Sequence, residues 1–155
     1  MISRRDFVTQ AAGLALAAIG AAQARGQPEG PDTAITVYKS ASCGCCAKWV
    51  DHLRANGFAP AVHDEADMDA IKDDLGVPKN VRSCHTALAG RYLVEGHVPA
   101  ADLRRLLKDR PALAGLAVPG MPKSTPGMAT PGETPEPYEV VSFTRDGKTS
   151  VFARH

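Results

Sequence analysis

The stretch Ile35-Thr36-Val37-Tyr38-Lys39-Ser40-Ala41-Ser42-Cys43-Gly44-Cys45-Cys46-Ala47-Lys48-Trp49-Val50-Asp51-His52-Leu53 changes its hydrophobic period halfway along. Ile35 to Tyr38 is a short run of β-branched and aromatic residues, the composition of a strand. Cys46, Trp49, Val50 and Leu53 then recur at i, i+3, i+4 and i+7, one apolar face of a helix, and Asn56-Gly57 supplies its C-cap. Three of the four cysteines therefore sit where a strand turns into a helix.

Working outward, Ala59 to His63 reads as a second strand, and Asp67 caps a short helix through Leu75 that Gly76 and Pro78 stop. Thr86 to Ala89 and Arg91 to Val94 flank Gly90 as a hairpin. Pro99 opens a third helix with Ala100, Leu103, Leu106 and Leu107 on one face, ended by Arg110-Pro111. The order is β-α-β-α-β-β-α, an α/β sandwich of one small sheet and three helices. Residues 119–137 hold six prolines and only Met121 and Met128 as large apolar side chains, so regular structure is not expected there. Tyr138 to Phe143 and Thr149 to Arg154 flank Arg145-Asp146-Gly147-Lys148, a hairpin signal. The expected organisation is a domain over 34–120, with a Met-containing loop and C-terminal hairpin over 121–155 folded back onto it.

The first 24 residues read as an address. Ser3-Arg4-Arg5-Asp6-Phe7-Val8 precedes a small-residue apolar run that ends at Ala22-Gln23-Ala24, the layout of a cleavable export signal. Phe7 to Ala22 is 16 residues, short for a membrane-spanning helix of about 20. The paired arginines resemble the twin-arginine signal, which implies export of an already folded chain to the periplasm. Residues 25–33 are a polar Gly/Pro linker.

With 155 residues, 44% hydrophobic and 23% charged, the composition is that of one globular domain. Taking Arg4 and Arg5 from the 18 basic residues and Asp6 from the 17 acidic ones leaves 16 of each beyond the signal. A neutral mature chain offers no electrostatic footprint for nucleic acid or an anionic membrane. Neither partner is expected.

The four cysteines stand in two places, Cys43-Gly44-Cys45-Cys46 and Cys84. Two structural disulfides are one reading of an exported chain, but Cys45 and Cys46 are adjacent and a bridge across a few residues stabilises little. At a helix N-terminus the macrodipole favours thiolate, the form that attacks disulfides and binds metal. Cys43 and Cys46 have the C-x-x-C redox spacing, for which Cys45 is surplus. Three thiolates on one helical turn, joined by Cys84, make a soft-donor cage for Cu(I), zinc or an iron–sulfur cluster. Met121 and Met128 add thioethers that favour Cu(I), and His85 beside Cys84 is a further ligand or hydrogen-bond partner. His97 is a weaker candidate. His52, His63 and His155 carry no pattern, and Asp73-Asp74 and Glu65-Asp67-Asp69 read as solvated.

These residues resemble the thioredoxin-like "domain of unknown function 411" family, which includes CopG-type copper-resistance proteins. The matching motifs are Cys43-Gly44-Cys45-Cys46 after a strand, Gly76-Val77-Pro78, Ser83-Cys84-His85-Thr86, Glu95-Gly96-His97-Val98-Pro99, Gly115 to Pro122 and Pro126-Gly127-Met128. The resemblance implies a thioredoxin-like three-layer sandwich, with Cys84 carried to the first helix by the loop that enters the third strand. It also implies that Cys84-His85-Thr86 stands where thioredoxins place a cis-proline.

The expected function is a periplasmic copper-binding protein for resistance or trafficking. It would hold Cu(I) on Cys43, Cys45, Cys46 and Cys84, with Met121, His85 and Met128 as further ligands, and exchange metal with other periplasmic copper proteins. The alternatives are a thiol–disulfide oxidoreductase with Cys43 as nucleophile and Cys46 as resolving thiol, or zinc or an iron–sulfur cluster on the same ligands.

Overall fold

The structure, a computed structural model, describes residues 33–155. The expected signal over 1–24, and all of the expected linker except Thr33, lie outside the described residues. The elements run β1 (Ala34–Lys39), α1 (Gly44–Ala55), β2 (Ala59–Asp64), α2 (Met68–Asp74), a 3-10 turn at Lys79–Val81, β3 (Thr86–Ala89), β4 (Tyr92–Glu95), α3 (Ala100–Asp109), β5 (Gly115–Ala117), β6 (Glu139–Phe143) and β7 (Thr149–Arg154). Through α3 this is the β-α-β-α-β-β-α order read from the sequence. The caps form as their residue types dictate. Asp67 accepts from the Ala70 N–H at 3.0 Å, and Gly57 follows α1 with φ of 78°.

One sheet of order β2-β1-β3-β4-β5-β6-β7 runs through the molecule. β1 is parallel to β2 and antiparallel to β3, β4 is parallel to β5, and the remaining neighbours are antiparallel. The sequence reading differs here in two respects. β5, three residues long, was not expected. The C-terminal hairpin does not fold back over a face but continues the sheet edge to edge, because β5 offers β6 a free edge to pair.

Each face of the sheet has its own apolar layer. Ile35, Val37, Ala87, Ala89, Tyr92, Val94 and Leu116 pack with Trp49, Val50 and Leu53 of α1 and Leu103, Leu106 and Leu107 of α3. Leu93, Ala117 and Phe143 face the other way, against Val77 and Val81 in the segment after α2. All four residues of β4 are buried, as a central strand covered on both faces requires. The result is a mixed α/β fold of three layers. No helix among the described residues is long and apolar enough to cross a membrane.

The hairpin is tied down at its end. The His155 ring meets the Asp102 carboxylate of α3 at 2.7 Å and stacks on Tyr138 with centroids 5.0 Å apart. Arg105 of α3 lies 3.8 Å over the Phe152 ring.

Candidate metal centre

Strand register brings the chemistry together. Tyr38 at the carboxyl end of β1 pairs with Thr86, Thr86 with Glu95, and Glu95 with Ala117. The segments holding Cys43, Cys84-His85, His97 and the loop after β5 therefore all leave the sheet at one end. That is the end where open α/β sheets place their ligands.

Cys43 is the N-cap of α1, with Cys45 and Cys46 in its first turn. The four cysteine Sγ atoms lie within 4.8 Å of one another, and Cys46, Cys84, His85 and His97 form a second such group that shares two sulfurs. Cys46 is fully buried, whereas Cys43, Cys45 and Cys84 are half-buried, so the cluster is sealed below and reachable from above. Cys43 and Cys46 are joined as a disulfide, while Cys45 and Cys84 are free. Two of the four expected thiolates are thus present in oxidised form, at the spacing noted as that of a redox pair. The Cys45 sulfur is 3.6 Å from that of Cys43.

Around Cys84 the electrostatics depart from a simple helix-dipole picture. Its sulfur arrives on a loop, and burial, reinforced by Cys45, pushes its thiol up to about 11. The two histidines are buried, and burial lowers both imidazoles, so they are neutral as ligands must be. The His97 Nδ1 lies 2.6 Å from the Pro126 carbonyl oxygen. A carbonyl only accepts, so Nδ1 carries the hydrogen and Nε2 presents its lone pair, 3.2 Å from the Cys84 sulfur. This is the tautomer and tether that a metal-binding histidine uses. His85 has Nδ1 at 3.3 Å from the same sulfur, and its Nε2 is buried without a hydrogen-bond partner. Trp49 backs the site, its ring 4.3 Å from that of His85 and its indole N–H bonded to the Val98 carbonyl at 2.9 Å.

The proline-rich loop passes over this cluster. A Cβ at Gly127, whose φ is 87°, would stand 2.8 Å from both the Cys45 carbonyl oxygen and the Trp49 nitrogen. Only glycine permits that approach. Met128 follows it and is half-buried, whereas Met121 stands at the surface, 43% exposed.

Beneath the loop that carries Cys84 lies a network of Lys72, Ser83, Thr86 and Glu95, of which the motifs quoted above contain the last three without a role. Glu95 is fully buried and Lys72 nearly so, with Nζ and Oε2 2.9 Å apart. Glu95 also accepts from the Ser83 N–H at 2.9 Å and from the Thr86 hydroxyl. Burial raises the Glu95 carboxyl, and Lys72 opposes that rise. A carboxylate ending the apolar run Tyr92-Leu93-Val94 was the available signal. His97 also gains weight from the structure, since it stands in the cluster with His85.

The donor set, thiols with two neutral imidazoles and one ring nitrogen left unpaired in the interior, fits a soft or borderline metal such as copper. The fold and the cluster define a small α/β protein with a cysteine–histidine cluster that could hold a metal at one end of its sheet.

Comparison with known proteins agrees. Residues 81–128 match the family described as "Protein of unknown function, DUF411". Two solved structures of a copper resistance protein CopG are similar over nearly their whole length. Form 1 is 50% identical, with a TM-score of 0.74 over 80% of this chain and 98% of that one. Form 2 is 51% identical, with a TM-score of 0.73 over 79% and 97%. No curated protein matches the chain. The chain belongs to the DUF411 family of CopG-type proteins.

Proposed function

We propose that this chain is a periplasmic copper-binding protein for copper resistance or trafficking, built on a thioredoxin-like scaffold. In its reduced state it holds Cu(I) on Cys43, Cys45, Cys46 and Cys84. The observation that carries this reading is the gathering of four cysteine sulfurs within 4.8 Å of one another, beside two buried neutral histidines. His85 and His97 are further donors, and Met128 and Met121 are thioethers on the overlying loop. Copper supplies the soft Lewis acid. The chain supplies thiolates, the His97 imidazole in a fixed tautomer, the His85 imidazole and a buried setting around Cys46. The signal-like residues 1–24 and the similarity to a copper resistance protein support export.

The closed Cys43–Cys46 bridge favours a second reading, a thiol–disulfide oxidoreductase. Two electrons and two protons convert the bridge to two thiols, so a reductant such as a dithiol must act before both sulfurs can bind metal. Cys45→Ser separates the readings. In the copper reading it cripples Cu(I) uptake while leaving the reduction of a small disulfide by Cys43 and Cys46 intact. Loss of disulfide reduction with copper uptake intact would reverse the assignment.

A further inference from the structure

Glu95 and Lys72 bury opposite charges beneath the loop that carries Cys84, and what the pair grips is specific. Glu95 Oε2 accepts from both the Lys72 ammonium and the Ser83 N–H, each at 2.9 Å, and its other oxygen accepts from the Thr86 hydroxyl. Lys72 Nζ donates to that same hydroxyl oxygen at 2.7 Å. Ser83 and Thr86 bracket Cys84-His85. A third grip comes from Gly96, whose N–H donates to the His85 carbonyl at 3.1 Å. The loop fits this closely because Gly96 has no Cβ: one there would lie 2.5 Å from the Ser83 hydroxyl. An apolar side chain at position 95 would fill the same interior without binding Ser83 or Thr86.

Resting on the metal-centre reading above, we propose that Glu95, anchored by Lys72, is the positioning residue of the site, holding Cys84 and His85 against the N-terminus of α1 through Ser83 and Thr86. It makes no hydrogen bond to a sulfur and acts through that loop, while the Lys72 charge that it balances also reaches Cys84 and His85.

The test is an anaerobic Cu(I) titration of the reduced full chain against a chromogenic chelator, for wild type, Cys84→Ser, Glu95→Gln and the double variant. The expected loss for Glu95→Gln is about 10- to 100-fold in affinity, as for other groups that orient ligands. In the Cys84→Ser background the same change adds little, because the two act at one loop. Equal losses in both backgrounds would overturn the proposal. Thr86→Val and Thr86→Ser ask the same question with the ion pair intact. The valine variant weakens uptake and the serine variant retains it, and an unaffected valine variant would count against the proposal. A metal-free readout stands beside these. In an oxidised Cys45→Ser chain Cys84 is the remaining free thiol, and Thr86→Val, which removes a grip on the loop while keeping the ion pair, speeds its alkylation by iodoacetamide several-fold. An unchanged rate overturns the positioning role whatever the metal does. A wild-type chain that takes up no Cu(I) refutes the copper reading alone, and the alkylation rate still decides the role of Glu95.

Discussion

The Nε2 of His97 stands 3.2 Å from the Cys84 sulfur, with the opposite ring nitrogen tethered to Pro126 at 2.6 Å. A side chain from the β4–α3 connection is thus locked in tautomer and aim by the proline-rich loop before any metal arrives. His97→Ala is therefore expected to lower the Cu(I) affinity of the reduced chain by about 10- to 100-fold. His63→Ala, which removes an exposed ring stacked on Tyr38, serves as the control that leaves affinity unchanged. Chelator competition measures both. Equal affinities for the two variants would remove His97 from the site.

Burial, with Cys45 adding to it, pushes the Cys84 thiol up to about 11, and this gives a pH signature without metal. A thiol whose value is raised is protonated and slow to react at neutral pH. Its thiolate fraction, and with it the alkylation rate, climbs with pH and is still rising at about pH 10. Iodoacetamide rates on the oxidised Cys45→Ser chain, which lacks the Cys45 contribution, measure the part of the rise that burial causes. A plateau reached below pH 9 would contradict the buried environment described for Cys84.

Gly127 is where the overlying loop touches α1. Gly127→Ala forces a Cβ to 2.8 Å from two backbone atoms at a φ of 87°, so a loss of about 1–3 kcal/mol of stability is expected. Gly132→Ala has a similar φ of 90° but meets no atom within 4 Å, so it carries the backbone strain without the collision and costs less. Urea denaturation of the two variants separates the terms. Equal losses would mean that the loop does not bear on the helix.

The C-terminal hairpin is expected to matter for stability and not for metal. Asp102→Ala removes the carboxylate that meets His155 at 2.7 Å and is expected to cost about 1 kcal/mol. Cu(I) uptake should be unchanged, because the contact joins α3 to the end of the chain. Urea midpoints and a copper titration on the same variant check both halves.

Much of this was legible in the sequence because it is local. The strand before Cys43, the helix face of Cys46, Trp49, Val50 and Leu53, and the hairpin around Gly147 are each written in a period or a turn residue. What escaped depends on pairing across the chain. β5 is three residues long and has no period of its own. Its existence follows from Leu116 and Ala117 bonding to neighbours on both sides, which is why the hairpin joins the sheet and does not cover it. Lys72 carries no signal of its own beside Asp73-Asp74, which read as solvated, yet it alone of the three is buried, because Glu95 lies opposite. Spacing joins Cys43, Cys45 and Cys46, and the family resemblance implied the arrival of Cys84, but His97 is 13 residues from Cys84 and no short motif joins them.

The most direct test compares Cu(I) titrations of the full chain, fully reduced and with the Cys43–Cys46 bridge closed, against a chromogenic chelator under anaerobic conditions. The account predicts that the reduced chain strips Cu(I) from the chelator and that closing the bridge, which removes two of the four thiolates, sharply weakens uptake. A reduced chain that fails to compete, or an oxidised chain that binds equally well, would contradict a four-thiolate copper site.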